Sequence, residues 1–539
     1  MFAKTRPLLA VLVVAAALVA SCKCGKEKVA KEKPPPAREV RIESTVSGLP
    51  AAGRNQVLQV IPSGTSFVLF SPDAARAGKW FTENKTLASL RRTDVWRDLQ
   101  QAGPAWLVST LRHRLARLSK VSLGDWSLES LLATPTVLAR YQATKERQDG
   151  AWLLVKQIDL RLQAVDRLAE ALNQVDEKSK QLGSFDWEGL KVRTLLLGGK
   201  KYLYYAVFSN LLLVCNHKQT LVSALFLATG REGRSLLDIA GLGQTLQQRA
   251  TDSLLLVWAN LELLDQGAMW NWSPGLVPGR EVIFHLPAAQ PRQPGLVVGP
   301  VTAQAGGKLD ESLWKILPAD SRLVVASALL HLGKGKPTGE KTSVVPAGLA
   351  SFHGQAALVL GGLEMKSEGP PLVHAAVLLK PSPGNWRDTD ARAVMDFVFG
   401  KGLQQVKTGD AVSYRSAAPG RPGGMLLDGW LVLASTGHML EMMASTQAGQ
   451  GPCLADWPGF TKSMDGGRGP VLLVADADKI FADLSAYAAW LDGQRQLAAG
   501  QTLAGALGPF LAACRQGGRM GLLLQQHDGL MAGNLRMIR

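Results

Sequence analysis

The sequence predicts an α+β fold of two tandem pseudo-repeat domains, each a largely antiparallel sheet with packed helices, with a helical insertion in the first. Three observations predict it. Segments of the first half return in the same order in the second half, apolar strand-like runs follow one another across short turns, and helical periodicity separates some of these runs. We therefore expect a signal peptide at 1–21, a lipidated flexible tether at 22–50, and repeats at 51–300 and 301–539.

Three pairs of segments carry the internal similarity. They are VIPSGTSFVLFS (60–71) with ILPADSRLVVAS (316–327), SNLLLVCNHKQTLVSAL (209–225) with DGWLVLASTGHMLEMMA (428–444), and SLLLVWANLELL (253–264) with PVLLVADADKIF (470–481). In the second pair, a two-residue turn enters an apolar strand, and we expect Asn216 and Ser435 to cap the helices that follow. Three matches in one order predict two diverged copies of one module.

The other elements follow the same order in both copies. In the first, AWLLVKQID (151–159) predicts a strand, and LKVRTLLLGGKKYLYYAVF (190–208) predicts two strands around a Gly198-Gly199 turn. One helical face between them is predicted by Leu162, Val165, Leu168, Leu172 and Val175. The second copy has PLVHAAVLLK (371–380), a helix around 388–399 and AVSYRS (411–416). Each copy closes with a candidate hairpin, EVIFHL with GLVVGPV and MGLLLQQHDGLMAGNLRMI.

The first copy carries a predicted helical insertion at about 73–140. Within it, LVSTLRHRLARLSK (107–120) places leucines on one helical face and Arg112, Arg114, Arg117 and Lys120 elsewhere. Such a helix can lie on an anionic membrane or contact a partner, although one apolar stripe is also typical of a helix that covers a core. Trp270 and Trp272 in AMWNWSPG have the same two interpretations, a recognition surface or side chains folded onto the module.

The N-terminus has the pattern of an export signal: a basic start with Lys4 and Arg6, then an apolar stretch from Leu8 to Ala20. The tetrad Val19-Ala20-Ser21-Cys22 resembles the lipobox of bacterial lipoproteins. The resemblance implies that Cys22 becomes the lipidated first residue of the mature chain and attaches it to a membrane. The lysines, glutamates and prolines that follow predict an extended, solvated tether.

Composition limits the classes of partner. With 539 residues, 46% hydrophobic and 19% charged, the chain can form two or more sizeable cores. The formal charge of +16 is typical of nucleic-acid binding, but the basic residues are spread along the chain without a nucleic-acid-binding motif. We therefore expect no nucleic-acid partner. Without CxxC or Cys/His metal spacing, no metal or other cofactor is expected either.

Cysteine is sparse: Cys22, Cys24, Cys215, Cys453 and Cys514. An oxidising envelope permits a disulfide, and Cys453 with Cys514 is the candidate pair because both fall in the second half. Cys215 is expected to be a buried small apolar residue.

Few residues suggest chemistry. Asp476 and Asp478 could hold a divalent cation, but an acidic helix start explains them as well. His217 and His438 are expected in turn or capping roles. Ser312 with Lys315 formally matches a motif of penicillin-interacting serine enzymes, which need the serine at a helix start. We expect Ser312 to precede a strand, so no catalytic residue is assigned.

The duplicated order of strand, hairpin, capped helix and strand is similar to a family of uncharacterised exported bacterial proteins, known as a domain of unknown function. The resemblance implies a cell-envelope location and no assigned reaction. We therefore expect a non-enzymatic, membrane-anchored lipoprotein on the periplasmic side of the inner or outer membrane, or at the cell surface. It would bind or scaffold an unknown envelope protein or lipid. The alternatives are a carrier of a hydrophobic ligand between the two halves and a hydrolase with an unrecognised site.

Overall fold

The computed structural model describes much of the chain after the predicted tether. The described residues are 56–83, 133–142, 150–158, 165, 182–197, 201–231, 233–238, 242–260, 263, 281–289, 294–299, 307–331, 346, 349, 352–366, 369–382, 386–408, 411–418, 420–457, 459–460, 464, 469–495, 502–515, 518–527 and 530–538. The chain divides into two compact units. The first is Met1–Gln266 with Glu281–Pro294, and the second is Gly267–Arg280 with Gly295–Arg539.

The described strands of the first unit form an antiparallel sheet. They are β1 (Phe67–Ser71), β2 (Thr136–Tyr141), β3 (Ala151–Gln157), β4 (Leu182–Trp187), β5 (Leu190–Leu197), β6 (Lys201–Phe208), β7 (Leu211–Cys215), β8 (Ser253–Asn260) and β9 (Glu281–Pro287). Their order across the sheet is β9-β8-β1-β2-β3-β7-β6-β5-β4. The helices are α1 (Gln56–Gln59), α2 (Ala74–Glu83), α3 (Lys218–Ala228) and α4 (Leu242–Asp252), with a 3₁₀ helix at Leu236–Asp238.

The strands of the second unit also pair antiparallel. Its strands are β10 (Gly295–Gly299), β11 (Leu323–His331), β12 (His353–Glu364), β13 (Leu372–Pro381), β14 (Gln404–Thr408), β15 (Ala411–Arg415), β16 (Gly423–Leu427), β17 (Trp430–Ala434), β18 (Val471–Asp476), β19 (Arg519–His527) and β20 (Leu530–Met537). They are ordered β10-β20-β19-β18-β11-β12-β13-β17-β16-β15-β14.

Along the chain, helices separate some of these strands of the second unit. They are α5 (Ser312–Ile316), α6 (Asp388–Phe399), α7 (Gly437–Gln447), α8 (Ala477–Arg495) and α9 (Leu503–Arg515), with a 3₁₀ helix at Leu454–Asp456. An antiparallel sheet with packed helices confirms the prediction of an α+β fold.

Alternation of buried residues explains how α3 packs in the first unit. Side chains of a strand point alternately to the two faces, and Leu153, Leu213 and Cys215 are fully buried at such alternate positions. The helix packs against β3, β6 and β7 and buries its own Leu221 and Leu225. Cys215 is therefore a core residue, as predicted.

The sheet of the second unit is covered on both faces. Leu378 and Val432 belong to a core with α5 and α7, whereas the adjacent Leu379 and Leu431 belong to a core with α6. Because successive strand residues point to opposite faces, the two cores lie on opposite sides of the sheet. Each fully buried Leu or Val contributes about 1.5–3 kcal/mol relative to an exposed one.

The structure confirms some of the predicted elements and corrects others. The helix expected around 388–399 is α6, and the strands expected at 151–159, 371–380 and 411–416 are β3, β13 and β15. Ser312 does not precede a strand: it begins α5, a five-residue helix too short to show helical periodicity. The predicted Gly198-Gly199 turn lies outside the described residues. The strand β10, predicted as part of the hairpin that closes the first copy, also pairs with β20.

Candidate functional site: a histidine cluster in the second unit

Six polar side chains meet at one end of the second unit's sheet. We call this set the histidine cluster: Arg322, Glu364, His374, Thr436, His438 and Asp483. They come from the residue before β11, the end of β12, the start of β13, the start of α7 and the first half of α8. The antiparallel pairing of β11, β12 and β13 places these strand ends together.

Two glycines let the helix and the strand ends approach. β12 has a register shift between Leu360 and Gly362. A Cβ on Gly361 would lie 2.8 Å from Met439 Sδ, and Gly362 has a φ of 135°, which side chains rarely adopt. A glycine pair inside a strand is a signal of a bulge or of a close approach.

His374 is buried, with a hydrogen-bond partner at Nδ1 and a carboxylate near Nε2. Its Nδ1 lies 2.8 Å from Thr436 Oγ1, and its Nε2 lies 3.4 Å from Glu364 Oε2. A carboxylate can only accept, so we assign the neutral imidazole its proton on Nε2, and Nδ1 then accepts the Thr436 hydroxyl proton. Thr436 Oγ1 in turn accepts from the backbone N–H of Met439 and caps α7.

His438 is exposed, and its ring packs edge-on against His374 with centroids 4.9 Å apart. Arg322 Nε donates to Asp483 Oδ2 at 3.2 Å. Burial lowers the pKa of His374, and His438 and Arg322 lower it further, whereas Glu364 and Asp483 act in the opposite direction. His374 is therefore held in its neutral form at neutral pH.

The connection Thr436–His374–Glu364 has the order of a nucleophile, a base and an orienting acid. A nucleophile must reach its substrate, but Thr436 is 2% exposed and its oxygen caps α7. The bonds of this hydroxyl hold α7 to β13.

The helix caps lie one residue later than predicted. His217 caps α3 through Nδ1, which accepts from Thr220 N, so its predicted capping role is confirmed. Asn216 and Ser435 do not cap: their side-chain oxygens accept from Trp152 N and Ala375 N on the neighbouring strands. His438 lies in the first turn of α7.

The acidic pair at the start of α8 is occupied by protein partners. Asp476 Oδ1 accepts from Lys479 N, and Asp476 Oδ2 lies 3.3 Å from Arg519 Nε. Asp478 pairs with Arg515. Helix capping therefore accounts for Asp476, and the ion pair with Arg515 accounts for Asp478. Across the residues placed in the structure, no group of three or more His, Cys, Asp or Glu side chains is arranged to hold a metal.

Ser312 does begin a helix, but its hydroxyl has a structural partner. Ser312 Oγ accepts from the indole Nε1 of the fully buried Trp430 at 3.0 Å. Lys315 lies on the exposed side of α5. The hydrogen bond between Ser312 and Trp430 therefore joins α5 to β17.

Cys453 and Cys514 are free thiols in the structure, so the bridge predicted between them is not formed. Cys453 precedes the 3₁₀ helix at Leu454–Asp456, and its N–H donates to Asp456 Oδ2. Burial raises the pKa of the Cys453 thiol, with a further rise from Asp456, and burial raises that of Cys514 to about 11. Both thiols are therefore weakly nucleophilic.

The remaining predicted site residues, Cys22, Arg112, Arg114, Arg117, Lys120, Trp270 and Trp272, lie outside the described residues. Within the described part, no helix is long and apolar enough to cross a bilayer. Comparison of the chain with protein-family models, curated proteins and solved structures finds no match.

Proposed function

We propose that the chain is a non-enzymatic, lipid-anchored binding or scaffolding protein of the bacterial cell envelope, and that its body is two diverged copies of one α+β module. The observation that carries the anchor is the position of Cys22 directly after a short apolar segment and two small residues. The observations that support the duplication are structural and concern each unit separately.

Strand order supports the duplication first. In the first unit β8, β1, β2, β3, β7, β6, β5 and β4 are neighbours in that order. In the second unit β18, β11, β12, β13, β17, β16, β15 and β14 follow the same order, with the same positions along the chain. A non-sequential order of eight strands shared by two units supports common descent.

The turn before the first strand is also shared. Thr65 Oγ1 donates to Pro62 O at 2.7 Å, and Ser321 Oγ donates to Pro318 O at 2.7 Å. Each proline forms an isolated bridge to the residue before a 3₁₀ helix, Ser235 in one unit and Cys453 in the other. These two residues donate their N–H to the third residue of that helix, an aspartate in both units.

Bonds at the strand ends and helix starts match even where the residue types differ. The matched pairs of bonds are Trp152 N to Asn216 Oδ1 with Ala375 N to Ser435 Oγ, Thr220 N to His217 Nδ1 with Met439 N to Thr436 Oγ1, and Leu263 N to Asn260 Oδ1 with Lys479 N to Asp476 Oδ1. A substituted side chain that still makes the same bond indicates selection for the shared fold.

At the positions that can be matched between the two copies, the ionisable residues of the histidine cluster occur only in the second copy. Arg322 corresponds to Ser66, His374 to Ala151 and His438 to Gln219. The fold of the module forms without these ionisable groups in the first unit. Their presence in the second unit therefore supports a role beyond folding, as expected of two copies that share a scaffold and diverge in their sites.

Substitution of Cys22 tests the anchor. Cys22→Ala should remain an unacylated precursor, because the thiol that receives the lipid is gone. Acyl labelling with membrane fractionation measures this. Cys24→Ala is the matched control, two residues away in the same tether, and should behave as wild type. Unchanged labelling and fractionation of Cys22→Ala would refute the anchor.

The binding role is tested separately on purified membranes. Crosslinking of the wild-type protein, with Cys22→Ala as the unanchored control, should recover one envelope protein at constant stoichiometry. Mass spectrometry of lipids from the same sample tests the carrier alternative, because a stoichiometric lipid in both variants would favour it over scaffolding.

A further inference from the structure

The histidine cluster places two imidazole rings at the start of one helix. His374 is on β13, His438 is in the first turn of α7, and Thr436 bonds both His374 and the α7 backbone. Histidine is the side chain whose ordinary pKa lies in the range from about 5 to 8. One attachment of α7 to β13 is therefore a hydrogen bond to an imidazole nitrogen.

We propose that His374, His438 and Thr436 form an acid-sensitive latch, which holds the first turn of α7 to β13 at neutral pH and releases it in mild acid. At neutral pH, the Thr436 hydroxyl donates to His374 Nδ1 while its oxygen accepts from Met439 N–H. A proton on Nδ1 turns that acceptor into a donor. The Thr436 hydroxyl proton then loses its acceptor in a buried site, which is unfavourable.

The charges around the latch decide its direction. His438 from α7 and Arg322 from the residue before β11 disfavour a positive His374, and Glu364 from β12 and Asp483 from α8 favour it. Asp483 is already paired with Arg322, and the side chain of Glu364 is 53% exposed, so solvent weakens its attraction. The positive end of the α7 dipole adds to the repulsion.

The sign of the pH effect follows from burial. Because the pKa of His374 is lowered in the folded protein, the unfolded chain takes up this proton first as the pH falls below 6.5. The free energy that holds the latch closed is therefore complete above that pH and decreases in acid.

Hydrogen exchange of the full-length protein tests the latch, with the first turn of α6 as an internal control. The amides of Met439 and Leu440 report on α7, and those of Asp390 and Ala391, which donate to Arg387 O, report on α6, whose sequence contains no histidine. After correction for the intrinsic exchange rate, protection at Met439 and Leu440 should fall by about tenfold or more from pH 8 to pH 5 relative to α6.

Two variants restore the residues of the first copy at these positions. His374→Ala should remove the pH dependence of α7 protection, even if the protection itself is lower at every pH. His438→Gln, at an exposed position, should reduce that pH dependence. Equal losses in α6 and α7 of the wild type would overturn the latch. An undiminished pH dependence of α7 protection in His374→Ala would also overturn the latch. An undiminished pH dependence in His438→Gln would show that His438 is not part of the latch.

Discussion

Trp258 and Glu281 form a buried polar pair in the first unit. The indole Nε1 of Trp258 donates to Glu281 Oε2 at 3.2 Å, and Glu281 is 7% exposed. Burial raises the pKa of this carboxyl, although the bond from Trp258 lowers it in part. The pair is thus a case in which an ionisable group is kept for its hydrogen bond rather than for its charge.

Glu281→Gln keeps an acceptor for Trp258 and removes the buried charge. Because the pKa of Glu281 is raised in the folded state, wild-type stability should fall as the pH rises above the ordinary value of 4.5, and the Gln variant should lack this fall. Chemical denaturation across this range measures the difference. Glu281→Leu is the control: it leaves the Trp258 N–H unpaired, and its free energy of unfolding should be about 1–3 kcal/mol below that of Glu281→Gln at any pH. Parallel pH profiles for wild type and Glu281→Gln would contradict the assignment.

At the residue scale, local sequence predicted caps but misplaced them. Asn216 and Ser435 are favourable capping types, yet their oxygens bond Trp152 and Ala375, which are far away in sequence. Only the pairing of β3 with β7 and of β13 with β17 reveals these partners. The histidine cluster was missed for the same reason, since its members come from five places in the chain.

At the scale of single helices, glycine should favour stability at the end of α7 and reduce it inside α8. Gly449 follows α7 with a φ of 73°, whereas Gly493 lies within α8 and has no such conformation. Neither position has an atom within 4 Å of an added Cβ, so packing does not distinguish them.

Gly449→Ala should therefore lower the free energy of unfolding of the second unit by about 1 kcal/mol, because alanine is strained at positive φ. Gly493→Ala should raise it by about 0.5–1 kcal/mol, because alanine is the better helix former. Denaturant titrations of both variants check the two signs. The same sign for both would show that backbone conformation is not the dominant effect.

At this scale, sequence predicts long periodic elements better than short ones. The helix around 388–399 and the strands at β3 and β13 follow from apolar spacing. The five residues of α5 are too few to show helical periodicity, and the prediction that Ser312 precedes a strand was wrong. The pairing of β10 with β20 has no local signature, because it depends on residues at opposite ends of the second unit.

For the whole molecule, the division into two compact units predicts two unfolding transitions. Leu221 in α3 and Leu440 in α7 are fully buried and occupy corresponding positions of the proposed copies. Leu221→Ala should destabilise the first unit and Leu440→Ala the second, each by about 2–5 kcal/mol. Calorimetry with hydrogen exchange assigns each transition to its unit. A single transition shifted equally by both variants would contradict two separate transitions.

The β10–β20 pairing also sets an order of events during synthesis. Hairpins such as β12–β13 join neighbouring segments, but Gly295–Gly299 meets Leu530–Met537 only after nearly the entire second unit has been translated. Contacts between such distant segments close slowly, because a long loop must be ordered first. The β10–β20 pairing is therefore expected to form last, and a nascent chain that still lacks Leu530–Met537 leaves β10 without this partner strand.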